Sequence, residues 1–403
     1  MNHYPPLAHY LAAWLSPIWD SGLVSMFNLG MASLFVVYVA LFSMGALVSK
    51  SAAIVAVCIL AGLALLDWPI HGFELRGNYF YSQAVATALA YCAFLAAMAS
   101  QSHLRRDALF LAATITIGFA HMIAALQLIA AYGVLLCFEG VTSKSGRWRV
   151  GYWAIASLGF LAFHPSVRAM LDIGTHEGGL DLLAVDQPVM QAVLVAATGL
   201  IGAGCALMGA RRNDPTIVAI GCLIFASFAL SASLWGAHTV AGLGSYYGFK
   251  KTLFSLTTLA PFGLCILLVR DIHIKGATVP IIASAGSVAV LFAVLIGSSP
   301  IDATRLEVLR EAVEHSGYQA ESNRRENSAT IVNFPELTPI FNYLLTIGEL
   351  HVPRDERAAA VYTNDFTGVQ RIDAVLTDRM EQCSSEPVGP IFRVPFDCWV
   401  ANR

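Results

Sequence analysis

Residues 216–240 read TIVAIGCLIFASFALSASLWGAHTV and contain no acidic residue, no lysine and no arginine. A helix of this length measures about 38 Å, which exceeds the roughly 30 Å thickness of the hydrocarbon core of a bilayer. The stretch therefore predicts a membrane-crossing helix. The whole chain agrees, because 57% of its residues are hydrophobic and only 13% are charged, with a mean hydropathy of +0.64. This composition excludes an ordinary soluble protein, and the net charge of −3 argues against a nucleic-acid partner.

Similar apolar runs lie on both sides of this stretch. They cover residues 22–48, 51–67, 80–99, 107–120, 122–139, 151–170, 188–210, 252–270 and 278–298. Together with 216–240 they predict an all-α polytopic membrane bundle of about ten transmembrane helices, with His121 in the turn between the two shortest runs. The amphipathic stretch Leu7–Trp19 is too short to cross, and its tyrosine and tryptophans favour the membrane interface.

The basic residues supply an orientation for these spans. Ten of the 14 lysines and arginines before residue 300 lie in the connections that follow odd-numbered spans. Because cytoplasmic connections are enriched in basic residues, those connections are predicted to be cytoplasmic. This bias holds only if residues 107–139 form two spans. We therefore expect a bacterial cytoplasmic (inner) membrane protein with both termini outside the cytoplasm.

Residues 300–403 differ sharply in composition from residues 1–299. They contain 16 acidic and 10 basic side chains and no lysine. They predict a small soluble α+β domain outside the cytoplasm, with a helix from Asp302 or Thr304 to Gly317 and another near 336–349. Strands are expected at Ala358–Tyr362 and Pro390–Pro395. Cys383 and Cys398 lie in this polar segment, and export of the domain would favour a disulfide bond between them.

The stretch GSYYGFKKTLF, residues 244–254, places Lys250 and Lys251 on the predicted outer side, away from most other cations. Paired ammonium groups there suit the phosphate of a lipid held at the membrane surface, with Tyr246 and Tyr247 at the interface. Arg76 is a candidate second cation, although an ion pair with a neighbouring carboxylate explains it equally well. The alternative for the lysines is that both reach into the interface from a helix end.

Three further stretches carry a family resemblance. His3-Tyr4-Pro5-Pro6-Leu7 resembles the Y-P-P-L motif of polytopic GT-C class glycosyltransferases, and Gly77–Gln83 and Ala120–Leu126 are similar to segments of the same class. The resemblance implies transfer of a sugar from a polyprenyl-phosphate carrier at the outer face to a glycan, lipid or protein acceptor. It also implies that His3, Tyr4 and His121 line the substrate site. His164, an ionisable residue at the end of a predicted span, is a further candidate for lining it. Packing or helix capping is the alternative for His121, and an interfacial helix end is the alternative for His164.

The chain departs from that class in one respect. The catalytic carboxylate of these enzymes precedes the Y-P-P motif, whereas here the first acidic residue is Asp20, after the motif. We therefore expect a truncated or inactive form, and no catalytic residue is assigned. No cysteine and histidine spacing typical of a metal site occurs, and the resemblance leaves a divalent metal ion open as a cofactor. A transporter of lipid-linked glycans and a non-catalytic membrane assembly protein remain alternatives.

Overall fold

The computed structural model describes most of the chain, namely residues 7–19, 22–66, 81–100, 102–142, 144–167, 185, 187–243, 246–269, 271, 285–287, 303–316, 329–337, 339–352, 356–379 and 385–402. The chain divides near residue 299 into a large helical unit and a smaller C-terminal unit. The predicted domain boundary between residues 299 and 300 lies outside the described residues.

Ten helices are described in the first unit. They are α1 (Leu7–Trp19), α2 (Gly22–Val48), α3 (Lys50–Leu65), α4 (Tyr81–Ala99), α5 (His103–Gly118), α6 (Met122–Thr142), α7 (Lys144–Phe163), α8 (Pro188–Arg212), α9 (Pro215–Ala241) and α10 (Tyr246–Val269). The short amphipathic α1 has the predicted bounds, and its buried side holds Ala8 and Ala12 while Tyr10 and Trp14 are exposed.

Six of these helices are long and apolar enough to cross a membrane, namely α2, α4, α6, α8, α9 and α10. The chain is therefore a membrane protein of the helical-bundle type. α3 and α5 have only 16 residues each, and three of the first six residues of α7 are basic. The count of ten crossings stays a prediction, since the last predicted run, 278–298, is described only at residues 285–287.

Polar residues in short turns explain where several helices begin. The Ser49 hydroxyl accepts a hydrogen bond from Ala52 N at 3.0 Å, which caps α3. The Asp214 carboxylate caps α9 by accepting from Thr216 N and Ile217 N at 3.0 and 3.2 Å. Pro215 occupies the first position of that helix, where its missing N–H costs nothing. These turns let consecutive helices pack as antiparallel neighbours.

Glycines bring α8 and α9 into backbone contact. A β-carbon added to Gly221 would lie 2.3 Å from Ala206 N, and one added to Gly202 would lie 2.5 Å from Phe225 N. Such separations are shorter than van der Waals contact, so only glycine fits there. Gly236, later in α9, has open space around it. The two helices are therefore in closest contact in the half of the hairpin next to their turn.

Polar side chains also join helices inside the bundle. Gln127 of α6 donates to the Ser227 hydroxyl of α9 at 2.6 Å and accepts from the Ser255 hydroxyl of α10 at 3.3 Å. The Ser231 hydroxyl of α9 donates to that of Thr252 in α10 at 2.7 Å. Hydrogen bonds of this kind satisfy polar groups that would otherwise be buried without a partner.

The second unit combines helices with one four-stranded sheet. Its elements are α11 (Ala303–His315), β1 (Ala329–Val332), α12 (Pro339–Gly348), α13 (Glu356–Thr363), β2 (Ile372–Thr377), β3 (Glu386–Val388), β4 (Ile391–Pro395) and α14 (Phe396–Ala401). The strand order is β1-β2-β4-β3; β1 is parallel to β2, and the other two pairs are antiparallel. The core of this unit contains Ile331, Val375, Val394 and Trp399.

The structure confirms the predicted α+β class of the C-terminal unit and corrects one of its elements. The strand predicted at Pro390–Pro395 forms as β4. The strand predicted at Ala358–Tyr362 is wrong, because these residues belong to helix α13. Three consecutive alanines have high helix propensity, and Glu356 places a negative charge at the positive end of the helix dipole.

Candidate functional site

Lys250 and Lys251 lie in the first two turns of α10, one turn after the tyrosine pair. Residues four apart lie on the same side of a helix, so each lysine faces one tyrosine. The Nζ of Lys250 lies 5.3 Å from the ring centroid of Tyr246, and that of Lys251 lies 4.6 Å from that of Tyr247. Lys250 is only 9% exposed. A side chain that reached out to the interface would be exposed, so that alternative does not describe Lys250.

Neighbouring helices hold the aromatic part of this site in place. The hydroxyl of Tyr246 donates a hydrogen bond to Oε1 of Gln191 in α8. The ring of His238 in α9 lies 5.4 Å from that of Tyr246. One turn along α10, Phe249 stacks on Trp235 of α9 with centroids 5.9 Å apart. Three helices therefore fix the tyrosine over which Lys250 lies.

Two neutral polar groups adjoin the lysines. Gln83 of α4 donates from Nε2 to the backbone carbonyl of Lys251 at 3.0 Å. Its Oε1 and the Nδ1 of His121 are buried and have no hydrogen-bond partner among the described residues. His121 lies in the turn between α5 and α6, where burial and the charge of Lys251 hold its pKa well below the ordinary value. His121 is therefore neutral, with an unsatisfied ring nitrogen.

Helix α1 is attached beside this turn. Leu7 N donates to the carbonyl of Phe119 at 2.9 Å, and the ring of His9 hydrogen-bonds to the Tyr81 hydroxyl. We name the end of the bundle that carries Tyr81, His121 and Lys250 the lysine end. Position 81 starts α4, so this end contains the N-terminus of α4 as well as that of α10.

His164, another predicted site residue, lies just after the end of α7. His164 packs between the rings of Phe119 and Phe160, with centroid distances of 4.3 and 4.6 Å. Its Nε2 lies 3.3 Å from the Ile115 carbonyl, and its Nδ1 accepts from Ser166 N at 3.3 Å. Both ring nitrogens of His164 thus have polar contacts with nearby backbone groups at the end of α7.

Several predicted residues lie outside the described part of the chain, namely His3, Tyr4, Arg76 and Cys383. Cys398 is disulfide-bonded, and its pairing with Cys383 stays a prediction. Among the described residues, no group of three or more potential protein ligands is arranged to hold a metal ion. The suggestion of a divalent metal ion therefore gains no support from them.

A second charged cluster joins α5, α6 and α7 and was not predicted from the sequence. Arg149 donates from Nη2 and Nε to the Asp107 carboxylate at 2.6 and 2.9 Å, and from Nη1 to Glu139 at 2.5 Å. Arg106 donates to the other oxygen of Glu139, and the Tyr132 hydroxyl donates to Asp107. Two arginines and two carboxylates cancel in formal charge. We name the end of the bundle that carries these residues the arginine end.

The sequence did contain a signal for this cluster. Asp107 and Glu139 are the first and last residues of two neighbouring predicted spans, and ionisable groups at the edge of a membrane span are costly unless they are paired. The apolar runs were ended at the basic residues, so Arg106 and Arg149 were assigned to connections. The structure instead continues α5 back to His103 and α7 back to Lys144.

With both clusters described, the chain can be compared with known proteins. No family model and no curated protein matches it. Its function is therefore inferred from the residues of the two ends and from the resemblance of short motifs.

Proposed function

We propose that this protein binds a lipid phosphate at the lysine end, and that the lipid is a polyprenyl-phosphate carrier of a sugar. In this proposal the protein is a glycosyltransferase-like protein of the bacterial cytoplasmic membrane, with its lysine end and both termini outside the cytoplasm. The observation that supports it is the burial of Lys250 beside Lys251, His121 and Gln83.

Ionisable side chains inside a membrane bundle are expensive, and those that are retained commonly bind ligands or partners. The tyrosine rings attract the ammonium groups and hold them beside each other at this end of the bundle. The phosphate of a lipid would accept charge-assisted hydrogen bonds from both lysines.

The neutral groups suit the part of the ligand next to the phosphate. The Oε1 of Gln83 can only accept a hydrogen bond, and the ring of His121 offers one acceptor or one donor according to its tautomer. A hydroxylated sugar supplies both donors and acceptors. The proposal assigns binding to these residues and leaves the catalytic carboxylate unassigned.

Ligand binding to the purified full chain tests the proposal. We expect a polyprenyl phosphate to raise the melting temperature in neutral detergent and to remain bound in native mass spectrometry, whereas the uncharged polyprenol does neither. Lys250→Gln with Lys251→Gln should weaken binding of the phosphate roughly a hundredfold or more, because each charge-assisted bond contributes about 1.5–3 kcal/mol.

A charge-matched control is available at the other end of the bundle. Lys50→Gln with Arg211→Gln also removes two cations, and both side chains are exposed. This control should bind the polyprenyl phosphate as the unmodified chain does. Equal loss in both double variants would show a general charge effect and overturn the proposal, as would unchanged binding in the lysine double variant.

The transporter alternative gains no comparable support. Transporters of this kind use helices that are broken near the middle of the membrane. The six long described helices run without a break, and α10 continues through Pro261.

A further inference from the structure

Helices α8 and α9 are in contact next to their turn and separate toward the lysine end. A run of 18 residues makes about five turns of an α-helix, so residues that far apart lie on the same side of it. Next to the turn, a β-carbon on Gly209 would lie 2.6 Å from Val218 N. Five turns along, the corresponding positions are Gln191 and Gly236. A β-carbon on Gly236 would meet no atom of the described residues within 4 Å, so α8 does not approach α9 closely there.

A second pair of positions shows the same separation. A β-carbon on Gly221 would lie 2.3 Å from Ala206 N. The same number of turns along, the corresponding residues are Thr239 and Pro188, and both are exposed. The two helices therefore leave an opening between them at the lysine end. We name this opening the α8–α9 cleft, and its described residues are Pro188, Gln191, Gly236 and Thr239.

Tyr246 of α10 closes the inner side of the cleft. Its hydroxyl donates to Gln191 of α8, and its ring lies 5.4 Å from that of His238 in α9, so its side chain joins the two helices. The Nζ of Lys250 lies 5.3 Å from the centroid of the same ring. On the outer side, Val240 of α9 is 89% exposed, which places an apolar surface beside the cleft. The cleft therefore leads from the lipid-facing surface to the ring that holds Lys250.

We propose that the isoprenoid chain of the polyprenyl phosphate lies in the α8–α9 cleft, with its phosphate at the lysine pair. This proposal rests on the function proposed above and adds the path by which the carrier reaches the lysines. Because Lys250 is only 9% exposed, a phosphate reaches it most directly beside Tyr246, where the cleft ends. A polyprenyl phosphate carries its phosphate on a single chain, which suits an opening between two helices better than the two chains of a phospholipid.

The test measures binding of a long-chain polyprenyl phosphate to the purified full chain in neutral detergent. Gly236→Leu fills the cleft and leaves both lysines in place. We expect its melting temperature without lipid to be no lower than that of the unmodified chain, because the space around Gly236 is open. Binding of polyprenyl phosphate should weaken about tenfold or more, because the chain would have to overlap the new side chain.

The matched control is a glycine elsewhere in the bundle. Gly159 of α7 is half-buried, as Gly236 is, and a β-carbon there would also meet no described atom within 4 Å. Gly159→Leu should bind polyprenyl phosphate as the unmodified chain does. An equal loss in both leucine variants would show a general effect of added bulk and overturn the proposal.

Two threonines provide a second pair of variants if Gly236→Leu does not fold. Thr239 of α9 and Thr116 of α5 are both exposed, and their hydroxyls donate to the backbone carbonyls four residues earlier at 2.8 and 2.9 Å. Thr239→Phe places a ring at the rim of the cleft and should weaken binding, although less than Gly236→Leu does. Thr116→Phe should leave it unchanged. Equal binding in the two phenylalanine variants would contradict the proposal.

The lysine double variant separates this proposal from the proposed function. If Gly236→Leu binds as the unmodified chain does while the lysine double variant does not bind, the cleft is not the path of the carrier and only this proposal fails. If the unmodified chain does not bind polyprenyl phosphate, or the lysine double variant binds it unchanged, the proposed function fails as well. Phosphatidic acid that binds as tightly as polyprenyl phosphate, and is lost equally in Gly236→Leu, would assign the cleft to phospholipid and overturn the proposal.

Discussion

The lysine end and the arginine end both hold cations within the bundle, but they surround them differently. At the arginine end, Arg106 and Arg149 are bonded to Asp107 and Glu139, so the positive charges are matched by carboxylates. At the lysine end, the ammonium groups lie over tyrosine rings, a contact that attracts a cation. A cation can therefore be held within the bundle by carboxylates or beside aromatic rings, and the two surroundings predict different effects when the cation is removed.

The largest effect on stability is expected from breaking the matched cluster. Arg149→Gln leaves Asp107 and Glu139 partly buried without their shared cation. We expect it to lower the free energy of unfolding by about 3 kcal/mol, at the low end of the range for buried pairs because these side chains are 16–25% exposed. Denaturant unfolding in mixed micelles measures the difference.

The control for this variant is an exposed ion pair. Arg212 bonds to Asp271, and their side chains are 44% and 71% exposed. Arg212→Gln should change stability by less than about 1 kcal/mol. If both arginine variants cost the same, the cluster on α5, α6 and α7 does not hold the helices together.

A smaller effect is expected from the tight helix contact near the same end. Gly221→Ala places a methyl group against the backbone of α8, and we expect a loss of about 2 kcal/mol from overpacking. Gly236→Ala in the same helix meets open space and should gain up to about 1 kcal/mol from higher helix propensity. The two melting temperatures should thus move in opposite directions; a shift of the same sign would contradict the close approach of α8 and α9.

The smallest change in stability is expected at the lysine end. Lys250→Met removes a buried ammonium together with its cation–π contact, and these effects oppose each other. The free energy of unfolding without lipid should therefore change by less than about 1 kcal/mol. Stabilisation by polyprenyl phosphate should be lost. A loss of about 3 kcal/mol without lipid would make Lys250 a structural residue like Arg149.

The sequence predicted the helices better than it predicted the clusters. Long apolar runs fixed α2, α6 and α8 closely, because burial in a membrane leaves a strong compositional signal. The arginine end was missed because hydropathy falls at Arg106 and Arg149, whereas the helices continue through them. Contacts between distant helices, such as Tyr246 with Gln191, leave no periodic signal in a single sequence.

The lysine pair was recognised for a different reason. Counting the basic residues in each connection predicts that the pair lies on the side of the membrane opposite most of them. The sequence could not predict the burial of Lys250 or the hydrogen bond from Gln83 to Lys251, because both depend on how α4 packs against α10. The strand predicted at Ala358–Tyr362 was wrong because a short apolar run alone does not distinguish a strand from a helix.

The length of α5 has a consequence for the surrounding lipid. This helix has 16 residues and is about 24 Å long, whereas α9 with 27 residues is about 40 Å long. Leu104 and Ile115 of α5 are exposed, so this short helix has an outward-facing side. If α5 crosses the membrane as the sequence predicts, it is shorter than a hydrocarbon core of about 30 Å, and local thinning of the bilayer is one way to compensate for the difference. In that case the two headgroup layers would come closer together next to the turn that carries His121.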